Sequence, residues 1–243
     1  MNALSLHAAV AAVPTPADAR ASGRGLGLLL VAEALLAFAP VVVLGAAIGW
    51  PASLGLPAAE QLVAIATHAD AVALGYGLYL LYSLLVAPVM VGLAARACGG
   101  LQHPLAMTVV AFAALSALAR AIGILRWLTV MPALASAYAG ADPATRTQIE
   151  RLFDAVNDYG GGIGEILGVS LLMALSLGLL AVGALRSGSL PRWLAAAGAV
   201  VALMLAALAL PALRIELQMP VAAAVSMLSL WMLCVGVWLL RRR

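Results

Sequence analysis

The sequence predicts an all-α protein, a polytopic transmembrane helical bundle of six spans with both termini cytoplasmic. Three observations predict it. Of the 243 residues, 65% are hydrophobic and only 9% charged, too little charge to cover the surface of a soluble domain. The apolar residues come in long blocks, and blocks of about 18 or more read as membrane-crossing helices. The basic residues are all arginine, and most of them flank those blocks, where they act as topology signals rather than as a nucleic-acid surface.

Residues 1–24 read as a flexible cytoplasmic arm. Its apolar stretch L-S-L-H-A-A-V-A-A-V has no basic residue before it, as a signal peptide would, and Arg20 and Arg24 close the arm. Residues 25–243 form one transmembrane domain with spans at 25–49, 71–95, 104–131, 161–185, 193–213 and 220–240. Each can cross a hydrocarbon core of about 30 Å at roughly 1.5 Å per residue, the third with some tilt. Pro40, Pro88 and Pro211 lie inside or at the end of spans and mark kinks.

Orientation follows from the arginines. The arm, the 96–103 turn, the 186–192 turn and the C-terminus carry two, one, two and three; the alternate segments 50–70, 132–160 and 214–219 carry none, two and one. The excess places both termini inside. The arginine-only basic set, with abundant alanine, points to a GC-rich bacterial genome. Cys98 and Cys234 belong to no C-x-x-C pair and fall on the cytoplasmic side, so no structural disulfide is expected.

Before the fourth span, Asp142 is an expected N-cap and Pro143 the first helical residue. Ile149, Leu152, Phe153, Val156 and Tyr159 then recur at helical spacing, which makes 143–159 an amphipathic external helix lying on the membrane or capping the bundle.

Two arginines, Arg120 and Arg126, sit inside the third span. An arginine at a helix centre costs about 2.5–3.5 kcal/mol on insertion scales, and once folded its donors need acceptors. Ser116, Arg120, Gly123 and Arg126 fall within one helical sector about 120° wide, so this face turns toward protein or a water-filled cavity. By depth, Glu165 early in the fourth span is level with Arg126. Glu33 lies deeper, within reach of Arg120 only if both side chains extend. Tyr79 and Tyr82 are near the level of Arg120. Gly160, Gly164 and Gly168 repeat every fourth residue, the pattern that lets membrane helices approach closely.

Signals for chemistry are nearly absent. His7, His68 and His103 are scattered and make no zinc or haem set, no serine has a histidine at its level, and no phosphate-binding glycine loop is present. No metal and no cofactor is expected, and no pattern fixes an oligomeric state.

The segment D-Y-G-G-G-I-G-E-I-L-G followed by R-S-G-S-L-P-R-W-L resembles an uncharacterised bacterial family of six-span integral membrane proteins, a domain of unknown function. The resemblance rests on Tyr159 to Gly164, the R-S-G-x-L-P-R turn at Arg186 to Arg192, and Arg120. It implies a fold and an inner-membrane location but no activity.

Two readings stay open. In the first, the Arg120, Arg126, Glu33 and Glu165 set is a scaffold that fixes helix register in a non-catalytic or regulatory membrane protein. In the second, a polar pocket in the outer half of the bundle binds or transports a small anionic or amphiphilic molecule. Arg120 and Arg126 then supply charge, Glu165 holds them, Glu33, Tyr79 and Tyr82 add polar groups, and the 143–159 helix ending at Tyr159 acts as a lid. Besides the lipid bilayer, such a ligand is the one partner implied; a membrane enzyme ranks third. Dry packing around the arginines separates the first reading from the second, which requires a cavity.

Overall fold

The computed structural model describes residues 16–215 and 220–242, and every element among them is helical. The helices are α1 (Pro16–Leu36), α2 (Phe38–Ile48), α3 (Ala58–Thr67), α4 (Ala69–Cys98), α5 (Pro104–Leu128), α6 (Val130–Ala139), α7 (Pro143–Gly161), a π-helical segment at Gly162–Leu172, α8 (Met173–Ser187), α9 (Arg192–Ala207) and α10 (Val221–Arg241). Among the described residues, five helical stretches are long and apolar enough to cross a membrane: Gly23–Ile48, Ala69–Cys98, Pro104–Ala139, Pro143–Ser187 and Val221–Arg241. They mark a membrane protein. The expected fifth span, 193–213, corresponds to the shorter helix Arg192–Ala207, followed by a turn of 3₁₀ helix at Leu210–Leu213.

Proline sets the ends of three of these helices. The ring of a proline at position i removes the amide that would bond the carbonyl of residue i−4. α1 ends at Leu36, four before Pro40; α5 ends at Leu128, four before Pro132; α9 ends at Ala207, four before Pro211. After the first two breaks the chain resumes at once as α2 and α6. Pro88 lies inside α4 without ending it. The first helix also starts earlier than expected, at Pro16, within the residues read as an arm; residues 1–15 of that arm lie outside the described residues.

The 143–159 segment, expected to lie on the membrane or to cap the bundle, packs against α3, α5 and α6. It is not a separate helix, because Pro143–Ser187 is one unbroken helical stretch. The cap that starts it is as expected: Asp142 Oδ1 accepts from the amides of Ala144 and Thr145. Nothing in Tyr159 to Gly164 stops the helix, since glycine lowers helical stability without blocking the backbone. α7 therefore stands on the fourth membrane segment as α6 stands on the third, and α3 packs against both.

The described residues consequently form two apolar cores. One lies within the membrane bundle, around Leu30, Tyr82, Met90, Val109, Met173, Leu177, Trp231 and Met232. The other joins the α3–α6–α7 cap to the ends of α2, α4 and α5, through Leu44, Leu62, Tyr76, Trp127, Met131 and Phe153. Buried hydroxyls and an indole tie the bundle helices to one another. Ser170 Oγ donates to Leu205 O at 2.6 Å, Ser176 Oγ to Val109 O at 2.8 Å and Trp231 Nε1 to Leu194 O at 2.8 Å. Each satisfies a polar group that would be costly to bury alone.

Small residues allow the closest helix contacts. A Cβ on Gly27 would lie 3.0 Å from Gly236 O, so α1 and α10 touch backbone to backbone near one end of the bundle. A Cβ on Gly123 would lie 2.7 Å from Gly164 Cα and 2.9 Å from Gly160 O. The every-fourth glycine pattern thus packs against α5, as the spacing predicts.

Candidate functional site

The junction between the two cores contains a cavity of about 490 Å³, within the size range of small-molecule sites. Its wall is built from the α1–α2 break, the aromatic face of α4, the polar face of α5, the π-helical segment and the first half of α10.

The α5 face turns inward. Ser116, Arg120 and Gly123 are buried and Arg126 is partly so. Ser116 Oγ donates to Gly168 O at 2.8 Å, which fixes α5 against the π-helical segment. The glycine stripe gives both arginine side chains room: a Cβ on Gly160 would strike Arg126 Cδ, and one on Gly168 would lie 2.9 Å from Arg120 Cγ. Packing and charge placement are therefore one feature of the sequence.

The two arginines are in different chemical states. Arg126 is engaged: Nη1 donates to Gly123 O at 2.6 Å, and Nε and Nη2 donate to Asn157 Oδ1 at 3.3 and 3.2 Å. Its guanidinium also lies 5.4 Å from the Trp127 ring centroid. Arg120 is only 4% exposed and makes no hydrogen bond among the described residues; its Nε is wholly enclosed and unpartnered. Its guanidinium sits over the Tyr82 ring, 4.7 Å from the centroid.

The pairing expected from depth is corrected here. Arg126 bonds Asn157 rather than Glu165, because the unbroken α7 carries Asn157 onto the same helix face as Gly160 and Gly164 and directly beside the guanidinium. Glu165 stands exposed on the cavity wall. Nor does Arg120 reach Glu33. Glu33 is completely buried, both carboxylate oxygens lack a hydrogen-bond partner, and it does not line the cavity.

Of the residues expected in the site, Arg120, Arg126, Glu165, Tyr79 and Tyr82 line the one cavity. Tyr159 does not: it is 75% exposed on the outer face of α7. Sequence reasoning placed Tyr79 and Tyr82 in the site but missed Trp50, Tyr76 and Trp127, which complete its aromatic wall. Trp50 meets Tyr79 edge-on at 6.0 Å, Tyr79 and Tyr82 stack at 6.1 Å, and Tyr76 stacks on Trp127 at 4.7 Å. The spacing of Tyr76, Tyr79 and Tyr82 put these rings on one face of α4, but nothing local signalled that Trp50 would fold back onto them. Asn157 was missed because its role exists only if α7 continues past Gly160. Among the described residues no group of three His, Cys, Asp or Glu side chains comes together to hold a metal ion.

A family model described as a domain of unknown function, DUF4386, matches residues 26–242, from the start of the bundle to its last helix. The chain belongs to the DUF4386 family. No curated protein and no solved structure matches it. In this DUF4386 protein the R-S-G-S-L-P-R segment forms a tight reversal. Gly188 caps α8 in the left-handed conformation at φ 64°, where a side chain would be strained, and Pro191 precedes the first residue of α9.

Proposed function

We propose that this protein binds a small anionic or amphiphilic molecule in the cavity beside Arg120, as a non-catalytic binder or transporter. One observation carries the reading: a buried guanidinium on the wall of a cavity, with no hydrogen-bond acceptor among the described residues. Removing a charge from water costs several kcal/mol after relaxation, and a desolvated cation–π contact returns only about 2 kcal/mol or somewhat more. An anion in the cavity supplies the missing acceptors, and a carboxylate or phosphate matches the fork of the guanidinium. The scaffold reading asks for saturated arginines and dry packing. Arg126 fits it and Arg120 does not.

The membrane arrangement that goes with this function is six spans in a bacterial inner membrane, with residues 25–243 as one transmembrane domain and both termini cytoplasmic. In this arrangement α9 serves as the fifth span. Its sixteen helical residues rise about 24 Å, somewhat less than the hydrocarbon thickness, a mismatch a bundle tolerates by local thinning. The Gly27–Gly236 contact supports a shared side for the termini, since it joins the early part of the membrane stretch Gly23–Ile48 to the late part of α10. A Cβ on Gly23 would lie 3.7 Å from Arg96 Nη1, and one on Gly183 3.1 Å from Cys98 Sγ. Both contacts gather the arginine-bearing turns at that same end. The α3–α6–α7 cap then stands outside the membrane, while Trp50, Pro51 and Leu54 of the α2–α3 connection line the cavity itself.

The test is thermal stability of the purified protein with a panel of anions and anionic amphiphiles. A ligand raises the midpoint of the wild type but not of Arg120→Gln, which must itself fold. If the panel stabilises both proteins equally, Arg120 is not the site.

A further inference from the structure

Resting on that binding reading, we infer that the ligand is a singly charged, single-chain amphiphile that enters sideways from the membrane between α2 and the first half of α10. Its carboxylate or phosphodiester head sits at Arg120, and its chain runs out through the gap.

The gap follows from the helix break. α1 lies against α10 along its length, locked where Gly27 meets Gly236. Beyond Ala37, α2 leaves that partner and packs on α4, where Leu44 fills the space left by Gly75. α10 is a single helix from Val221 to Arg241, and α2 makes little contact with it, so the two separate. The cavity reaches the surface between them: Phe38, Val41, Val221, Ala222 and Ser226 line it and are exposed at the same time. Four of these five are apolar, as a path for hydrocarbon requires. The proline that ends α1 thus also opens the side of the bundle.

Inward from this rim the wall changes character. Trp50, Tyr79 and Arg126 are partly buried in it, and Tyr82 and Arg120 fully so, the Arg120 guanidinium lying over the Tyr82 ring. An exposed apolar rim and a buried aromatic and cationic wall match a chain with an anionic head. The charge count limits the head. Arg120 and Arg126 against Glu165 leave one net positive charge on the wall, and Arg126 already spends its donors on Asn157 and Gly123. One free guanidinium accepts one carboxylate or one phosphodiester, and Glu165 repels the second charge of a phosphate monoester. The volume of about 490 Å³ suits one chain and its head rather than a two-chain lipid.

The experiment uses the full chain in nanodiscs of zwitterionic lipid. The probes are dodecanoate, dodecyl phosphate, dodecyltrimethylammonium, acetate and inorganic phosphate, and the readout is the thermal midpoint as a function of probe concentration. Dodecanoate is expected to stabilise the wild type. The cationic amphiphile and the two chainless anions are expected not to, and dodecyl phosphate to act more weakly than dodecanoate. Arg120→Gln is expected to weaken dodecanoate at least about tenfold, the weight of a charge-assisted hydrogen bond. A dodecanoate analogue with a terminal diazirine is expected to label α2 and α10 of the wild type on photolysis, which tests the path without any variant. Labelling confined to other helices overturns the sideways entry. Acetate or inorganic phosphate matching dodecanoate overturns the amphiphile and leaves anion binding standing, whereas no response to any anion overturns both.

Discussion

The Arg120 guanidinium lies 4.7 Å from the centre of the Tyr82 ring, and neither residue completes a hydrogen bond there. Arg120 Nε and Tyr82 Oη are both enclosed and unpartnered. Two adjacent side chains on α5 and α4 are therefore held in a state that is costly until something arrives. Functional sites are where such a deficit is expected to persist, because the rest of the fold over-determines it.

The first prediction concerns stability without ligand. Replacing a whole buried ion pair by apolar side chains of similar volume is often neutral or stabilising by about 1–4 kcal/mol, while removing one partner of a satisfied pair costs about 3–5 kcal/mol. Among the described residues Arg120 has no partner to strand. Arg120→Met should therefore raise the unfolding midpoint of ligand-free protein in detergent. A fall on the scale of a broken pair would mean that Arg120 has a structural partner after all.

Gly123 tests the helix seam. The Cβ added by Gly123→Ala would press on Gly164 Cα and Gly160 O, both backbone atoms that cannot rotate away. Overpacking of this kind costs about 1–3 kcal/mol, and the seam also positions both arginines. Gly77, where an added Cβ meets nothing within 4 Å, is the control. Thermal unfolding should show a lowered midpoint for Gly123→Ala and an unchanged or raised one for Gly77→Ala.

Much of this was legible in the sequence, for definite reasons. Long apolar blocks and arginine-flanked turns located five of the membrane segments because hydrocarbon thickness sets helix length. The burial of Ser116, Arg120 and Gly123 was legible from their common helical sector. Other features depended on tertiary context. That Arg126 would choose Asn157 over Glu165 hinged on the helix continuing through four glycines, and local sequence leaves that choice open. Helix ends at Leu36, Leu128 and Ala207 were recoverable from Pro40, Pro132 and Pro211, four residues further on. Pro132 lay one residue past the expected end of the third span and so was not weighed. The cavity itself is a product of where α2 and α10 separate, which no single segment encodes.

A pH effect is expected at the outer cap. Asp142 Oδ2 accepts the Thr145 hydroxyl at 2.6 Å, and its Oδ1 accepts two backbone amides. The hydroxyl bond, then the amide bonds, hold its carboxyl below the ordinary aspartate range. A carboxylate with a depressed folded-state value contributes its full stability above the unfolded value, near 3.9, and loses it as pH falls through the folded one. Hydrogen exchange in the first turn of α7, corrected for intrinsic rate, should be faster in Asp142→Ala than in wild type at pH 7. The difference should shrink once the pH drops below the ordinary aspartate value. A difference that is constant across that range would remove the capping role.

The most direct measurement is an experimental density map of the protein in nanodiscs containing a saturating single-chain anionic amphiphile. The predicted result is non-protein density within hydrogen-bond distance of the Arg120 guanidinium, extending toward the gap between α2 and α10. A guanidinium saturated instead by Glu33 or by backbone carbonyls, with side chains filling the space beside it, would contradict that prediction and restore the scaffold reading.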